Sequence, residues 1–238
     1  MKKKIMFSII IVLILSLVGG TVYYINDYYR AEDSAVVLFA SSKTDISEEN
    51  GVYTFNSENA KTGVIFYPGG KVEAKAYAPL MYALAEEGIL SILVTMPGNL
   101  AVLDMNAADG IIEKHPEIEN WYMAGHSLGG SMAASYIAEN SQEFDGIILL
   151  ASYSTADLSV SDLEVLSIYG NNDSVLNMEK YSEYKTNLPE DFKEIIIDGG
   201  CHAYFGAYGE QDGDGEATIT RDEQIEITSN KILEFVNN

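Results

Sequence analysis

Cysteine and histidine are scarce in this chain, and basic residues are heavily outnumbered. The single cysteine, Cys201, excludes an internal disulfide framework and any cysteine-based zinc cluster. Only three histidines, His115, His126 and His202, are on hand for proton transfer. Lys and Arg number 14 against 36 Asp and Glu. Three of the 14 are Lys2, Lys3 and Lys4, and no acidic residue precedes Asp27; everything beyond the first apolar run therefore sets 11 basic against 36 acidic residues, a net −25. A surface of that sign repels phosphate backbones and anionic headgroups, which argues against nucleic acid as a partner. Internal repeats and low-complexity tracts are missing too, and 238 residues of ordinary globular composition predict one domain.

What the N-terminus has in abundance is apolar side chain. Ile5 to Ile25 contains no charge, and at about 1.5 Å per residue it is long enough to cross a hydrocarbon core of ~30 Å. The three lysines ahead of it predict an uncleaved, single-pass anchor with the rest of the chain on the outer face of the cell membrane. Secretion after signal cleavage is the alternative, although an A-x-A-like site and a lipobox cysteine are both absent. Residues 1–28 are thus expected to form the anchor and a short tether, and 29–238 a single domain.

The remainder is organised around Asn120 to Asn140. An apolar strand-like run, Trp121 to Ala124, enters Gly125-His126-Ser127-Leu128-Gly129, and a helical pattern of small residues follows. G-x-S-x-G between a strand and a helix is the signature of a nucleophile elbow, whose turn needs glycine on either side of the serine. Ser127 is the candidate nucleophile, with the N-terminus of the following helix directed at it. On either side of this motif, strands and helices alternate. Gly63–Tyr67, Ile89–Val94, Gly146–Leu150, Leu163–Tyr169 and Phe192–Ile197 read as strands; Ala74–Glu87, Ala107–Lys114, Met178–Thr186 and Glu223–Val236 read as helices. Ala35–Ala40 and Val52–Phe55 read as opening strands. Fully apolar strands alternating with helices predict an α/β fold, a mostly parallel sheet with helices on both faces.

A serine hydroxyl needs a base, and the base an orienting acid. His126 is committed to the elbow and His115 ends a helical segment, which leaves His202, placed after a strand and the Gly199-Gly200 turn. For the acid, Asp173 follows a strand through Gly170-Asn171-Asn172; Asp157 and Asp198 are the rivals. Two backbone donors are needed for a developing oxyanion. Leu128 follows the nucleophile, and Gly70 closes the early Pro68-Gly69-Gly70 turn.

GHSLGG, PGG, GNND and CH, in this order and at these separations, resemble the α/β-hydrolase superfamily over about residues 63–238. The likeness is nearest to the small dienelactone-hydrolase-like esterases, which carry a cysteine where this chain has Ser127. The resemblance implies a Ser127, His202, Asp173 triad, an acyl-enzyme route, a small-molecule carboxylic ester as substrate, and no cofactor or metal. An acyltransferase or thioesterase would use the same triad, and a surface binding protein could retain the fold without catalysis. Only Ala151 to Asp162 stands where relatives insert a cap, so a lid is not expected. The Gly199 to Arg221 loop, with Tyr204, Phe205 and Tyr208, is then the expected pocket wall. The same loop holds Asp212-Gly-Asp214-Gly-Glu216, spaced like part of a calcium loop but with Ala217 where that loop needs glycine, so an acidic turn is the expectation.

Overall fold

The structure is a computed structural model that describes residues 2–40 and 45–237. The outer ends of the two expected segments, Met1 and Asn238, lie outside the described residues. Among these residues an eight-stranded sheet has the order β1-β2-β4-β3-β5-β6-β7-β8. It opens with an antiparallel hairpin, β1 (Ile46–Glu49) and β2 (Val52–Phe55), joined at Asn50-Gly51, where both residues have positive φ. That is the backbone such two-residue turns demand. After β2, which runs antiparallel to β4, every pairing is parallel.

The parallel strands are β3 (Thr62–Tyr67), β4 (Ile89–Val94), β5 (Asn120–His126), β6 (Gly146–Leu150), β7 (Glu164–Gly170) and β8 (Lys193–Ile197). Every residue of β3, β4 and β6 is buried, because both faces of the sheet are covered. Alternation then sorts side chains between two cores. Val64, Phe66, Tyr122 and Ile148 join α3 (Ala78–Glu86) and α6 (Arg221–Val236) on one face. Ile65, Tyr67, Met123 and Ile147 join α4 (Leu128–Glu139) on the other. The short α5 (Met178–Tyr184) lies beside β7, where the Tyr181 hydroxyl meets Ser167 Oγ at 2.8 Å.

Two expected elements take a different form. Ala35–Ala40 is not a strand: α2 (Asp33–Val36) and the 3-10 turn Val37–Ala40 replace it, and Leu38 and Phe39 reach the core from that turn. Ala107–Lys114 is a run of turns ending in a 3-10 segment, Ile112–Lys114, interrupted by Gly110 at φ 74°. At the N-terminus, α1 (Lys2–Asn26) contains an 18-residue stretch, Ile9–Asn26, long and apolar enough to cross a membrane and wholly unburied.

The segment after α1 is not a loose leash. Tyr29 forms a parallel bridge with Val72, accepting from Glu73 N–H (2.9 Å) and donating its own N–H to Lys71 (2.8 Å). Ala31 N–H reaches the Glu73 carboxylate at 3.0 Å, Glu32 N–H reaches the Ala207 carbonyl at 2.8 Å, and Arg221 pairs with Glu32. The C-terminal ends of β3, β5, β7 and β8 all fall on one edge of the sheet, where crevices in parallel sheets take ligands.

Candidate active site

Ser127 stands at the end of β5 with φ 52° and ψ −124°, a backbone that an L-residue rarely adopts. The surrounding glycines explain how so tight a turn fits. A Cβ on Gly125 would lie 2.6 Å from the Gly130 nitrogen, and one on Gly129 would collide with the carbonyl oxygens of Tyr67 and Pro68. Ser127 N–H donates to the Leu150 carbonyl (2.9 Å), and Ser152 Oγ donates to the Ser127 carbonyl (2.7 Å), pinning the elbow to β6 and the turn after it.

His202 and Asp173 arrive from the loops after β8 and β7. His202 Nδ1 and Asp173 Oδ2 lie 2.8 Å apart, with each side chain only 1% exposed. The second Asp173 oxygen accepts from Val175 N–H (2.9 Å) and Leu176 N–H (2.7 Å), so the carboxylate is fixed at both ends. With Nδ1–H donated to Asp173, His202 Nε2 is left as a buried acceptor without a partner among the described residues. The Ser127 hydroxyl likewise has no hydrogen bond there, so His202 and the candidate nucleophile are not bonded to each other. The other two aspartates point elsewhere. Asp157 accepts from Ser159 N–H and Oγ within its own turn, and Asp198 accepts from Asn171.

Gly70 and Leu128 are neighbours across the elbow, since a Cβ on Gly70 would lie 2.9 Å from Leu128 Cδ2. Leu128 N–H is the first of α4, with no acceptor inside the helix. Gly69 is already engaged: its N–H donates to the Tyr77 hydroxyl at 3.0 Å. That hydroxyl also meets His126 Nδ1 at 2.8 Å. His126 Nε2, the other ring nitrogen, is buried without a partner among the described residues. Burial, and then the neighbouring His202 imidazole, hold His126 well below the ordinary histidine range. The two imidazoles are 4.5 Å apart, so the elbow and the His202 loop touch through their histidines.

The Gly199 to Arg221 loop behaves differently from the expected wall of aromatics. Phe205 is fully buried against His126, with ring centroids 5.5 Å apart, and Tyr208 packs against Tyr29 and Tyr77. Both attach the loop to the body. Tyr204 borders a cavity of about 420 Å³, together with Cys201, Ala203, Gln211 and Asp214; neither Ser127 nor His202 lines it. Cys201 is buried, and burial, followed by the nearby Asp214, pushes its thiol up to about 12.

Asp214, in the acidic turn, is a second acceptor at this site. Its Oδ2 accepts from Ala203 N–H (2.8 Å) and its Oδ1 from Ser174 N–H (3.3 Å) and Gly215 N–H (2.8 Å). It thereby links the residue after His202 to the residue after Asp173. Spacing alone marked this stretch only as an acidic turn, and Tyr77 falls within Ala74–Glu87, which reads from its spacing only as a helix. Both partnerships join residues far apart in sequence, which no local pattern encodes.

The family model described as "Alpha/beta hydrolase family" matches residues 63–226. No curated protein matches the sequence. Solved structures of similar fold include a dienelactone hydrolase from Anabaena variabilis, at 12% identity and TM-score 0.61, covering 81% of this chain and 99% of that one. A carboxylesterase from Bacillus subtilis has 12% identity and TM-score 0.60 over 86% of this chain and 95% of its own. Est1E from Butyrivibrio proteoclasticus has 14% identity and TM-score 0.59 over 83% and 100%. At such identities the likeness is one of fold.

Proposed function

Starting from a chain that belongs to the alpha/beta hydrolase family, we propose that it is a serine hydrolase cleaving carboxylic esters, anchored by α1 with its catalytic domain on the outer face of the membrane. Ser127 attacks the acyl carbonyl while His202 Nε2 takes the hydroxyl proton, and Asp173 keeps the imidazole in the tautomer that leaves Nε2 free. The tetrahedral oxyanion is held by Gly70 N–H and Leu128 N–H. His202 then returns its proton to the departing alkoxide, leaving an acyl-Ser127 ester. Water, deprotonated by the same nitrogen, attacks that ester and releases the acid. No step calls for a cofactor.

The observation that carries this reading is a buried His202–Asp173 pair on the sheet edge where Ser127 is held in the elbow backbone. The length and apolarity of α1 support the anchor. The test is labelling with a fluorophosphonate, with Ser127→Ala as control. The native chain should be labelled and should hydrolyse a short activated ester, and the variant should lose both, with turnover falling by about three orders of magnitude or more. Wild-type turnover in the variant would remove Ser127 from the mechanism.

A further inference from the structure

The end of α1 is attached to the same turn that supplies Gly70. Lys71, one Cα step of about 3.8 Å beyond Gly70, sets its ammonium 2.7 Å from the Asp27 carboxylate and 4.5 Å over the ring of Tyr24. Its N–H donates to the Asn99 carbonyl at 2.7 Å, which ties in the Pro97–Asn99 turn. A methyl group placed on Gly98 would lie 3.8 Å from Ile25 and 3.8 Å from Leu103. Leu103 and its neighbour Val102 are exposed, at 60% and 57%, beside the last turn of the apolar helix.

Tyr23 and Tyr24 close the apolar stretch, and tyrosines at that position sit at the headgroup level. A lysine stacked on Tyr24 is then at that level as well, with its ammonium in the polar layer and its stem along the apolar boundary. Two residues, Asp27 and Tyr28, separate the helix end, Asn26, from the Tyr29–Val72 bridge, and the segment beyond is bonded to Glu73, Ala207 and Arg221. The turn bearing Gly70 has no slack with which to leave the bilayer. The net −25 of the outer part keeps its other surfaces away from anionic headgroups, so contact is confined to this corner, where Arg30 and Lys71 lie.

Building on the ester reading above, we propose that the catalytic edge is held in the headgroup layer of the membrane that α1 crosses, with Val102 and Leu103 dipping into it, and that the substrate is an amphiphilic ester resident in that leaflet. An ester linkage in such a molecule lies at the depth of Gly70 and is presented by lateral diffusion. Confinement to one layer raises its concentration at the site above that of a dissolved ester.

The full chain, reconstituted in phosphatidylcholine vesicles, tests this in two ways. Val102→Cys carrying a fluorophore, with the native Cys201 buried and unreactive, should be quenched by nitroxide lipids labelled at shallow depth. A fluorophore that stays unquenched overturns the proposal. In the second, about 20 Gly and Ser residues are inserted between Asn26 and Asp27 to lift the domain off the bilayer. The rate on a bilayer-resident fluorogenic ester should fall about tenfold or more relative to that on a soluble acetate ester; an unchanged ratio overturns the proposal. If the unaltered chain turns over neither ester and takes no fluorophosphonate, the ester chemistry and the substrate assignment both fall, while quenching still decides where the edge sits.

Discussion

The Tyr77 hydroxyl and His126 Nδ1 lie 2.8 Å apart, and through this contact the elbow is coupled to the turn that carries Gly70. Tyr77 takes the Gly69 N–H on one side and is hydrogen-bonded to His126 Nδ1 on the other. Tyr77→Phe keeps the ring packed on Phe66 but leaves a buried N–H and a buried ring nitrogen unpaired. The expected cost is about 1–3 kcal/mol of stability, together with a fall in kcat at nearly constant KM, because Gly70 is aligned through its neighbour. Urea titration and steady-state kinetics on a short ester check the two effects.

His126 also sets an acid limit. Its folded-state pKa is depressed below the ordinary 6.5, chiefly by burial. The unfolded chain therefore binds the proton first, so the stability owed to neutral His126 is complete above pH 6.5 and is lost as pH falls below it. His126→Gln should flatten that part of the profile. Parallel urea midpoints for the two proteins at descending pH measure it; identical slopes would mean that other groups govern the acid limit.

Asp214 spans the loops that carry Asp173 and His202. Asp214→Asn keeps one acceptor and loses the other, whereas Asp214→Ala loses both. Turnover should fall in that order, by between about tenfold and a hundredfold for the alanine, with fluorophosphonate labelling slowed but not abolished. Labelling at the native rate in both variants would show that Asp173 and His202 hold their places unaided.

Gly129→Ala is the sharpest test of the elbow, since the new methyl would meet backbone carbonyls that cannot swing aside. It should lower stability by about 1–3 kcal/mol and displace Ser127 enough to halt labelling. Gly88→Ala has open space at its Cβ but a φ of 96°, so its cost should be strain alone, with labelling retained.

Much of the architecture could be read from the chain because it rests on local rules. Apolar runs such as Gly63–Tyr67 and Ile89–Val94 belong to strands covered on both faces, and G-H-S-L-G between a strand and a small-residue helix leaves one sensible geometry. Ala35–Ala40 was misleading because a short apolar stretch fits a strand or a packed helical turn equally well, and the surroundings decide. In Ala107–Lys114, helical spacing was overridden by Gly110 in the left-handed region. The site was legible as far as each residue's position at a strand end. The links made by Tyr77 and Asp214 depend on loops meeting in space, as does the seating of Tyr29 beside Val72. Phe205 and Tyr208 carried no periodic mark to distinguish a pocket wall from an anchor.

The hairpin at the start of the sheet has its own consequence. β1 is an edge strand, with no partner strand on its outer side among the described residues, and Ser47, Glu48 and Glu49 are exposed on it. Glu49 is paired with Lys114 at 2.9 Å, so a strand from another molecule that added there antiparallel would bring its own carboxylates against Glu48, at the short spacing of paired strands. Like charge thus ends the ladder where the covalent chain does not.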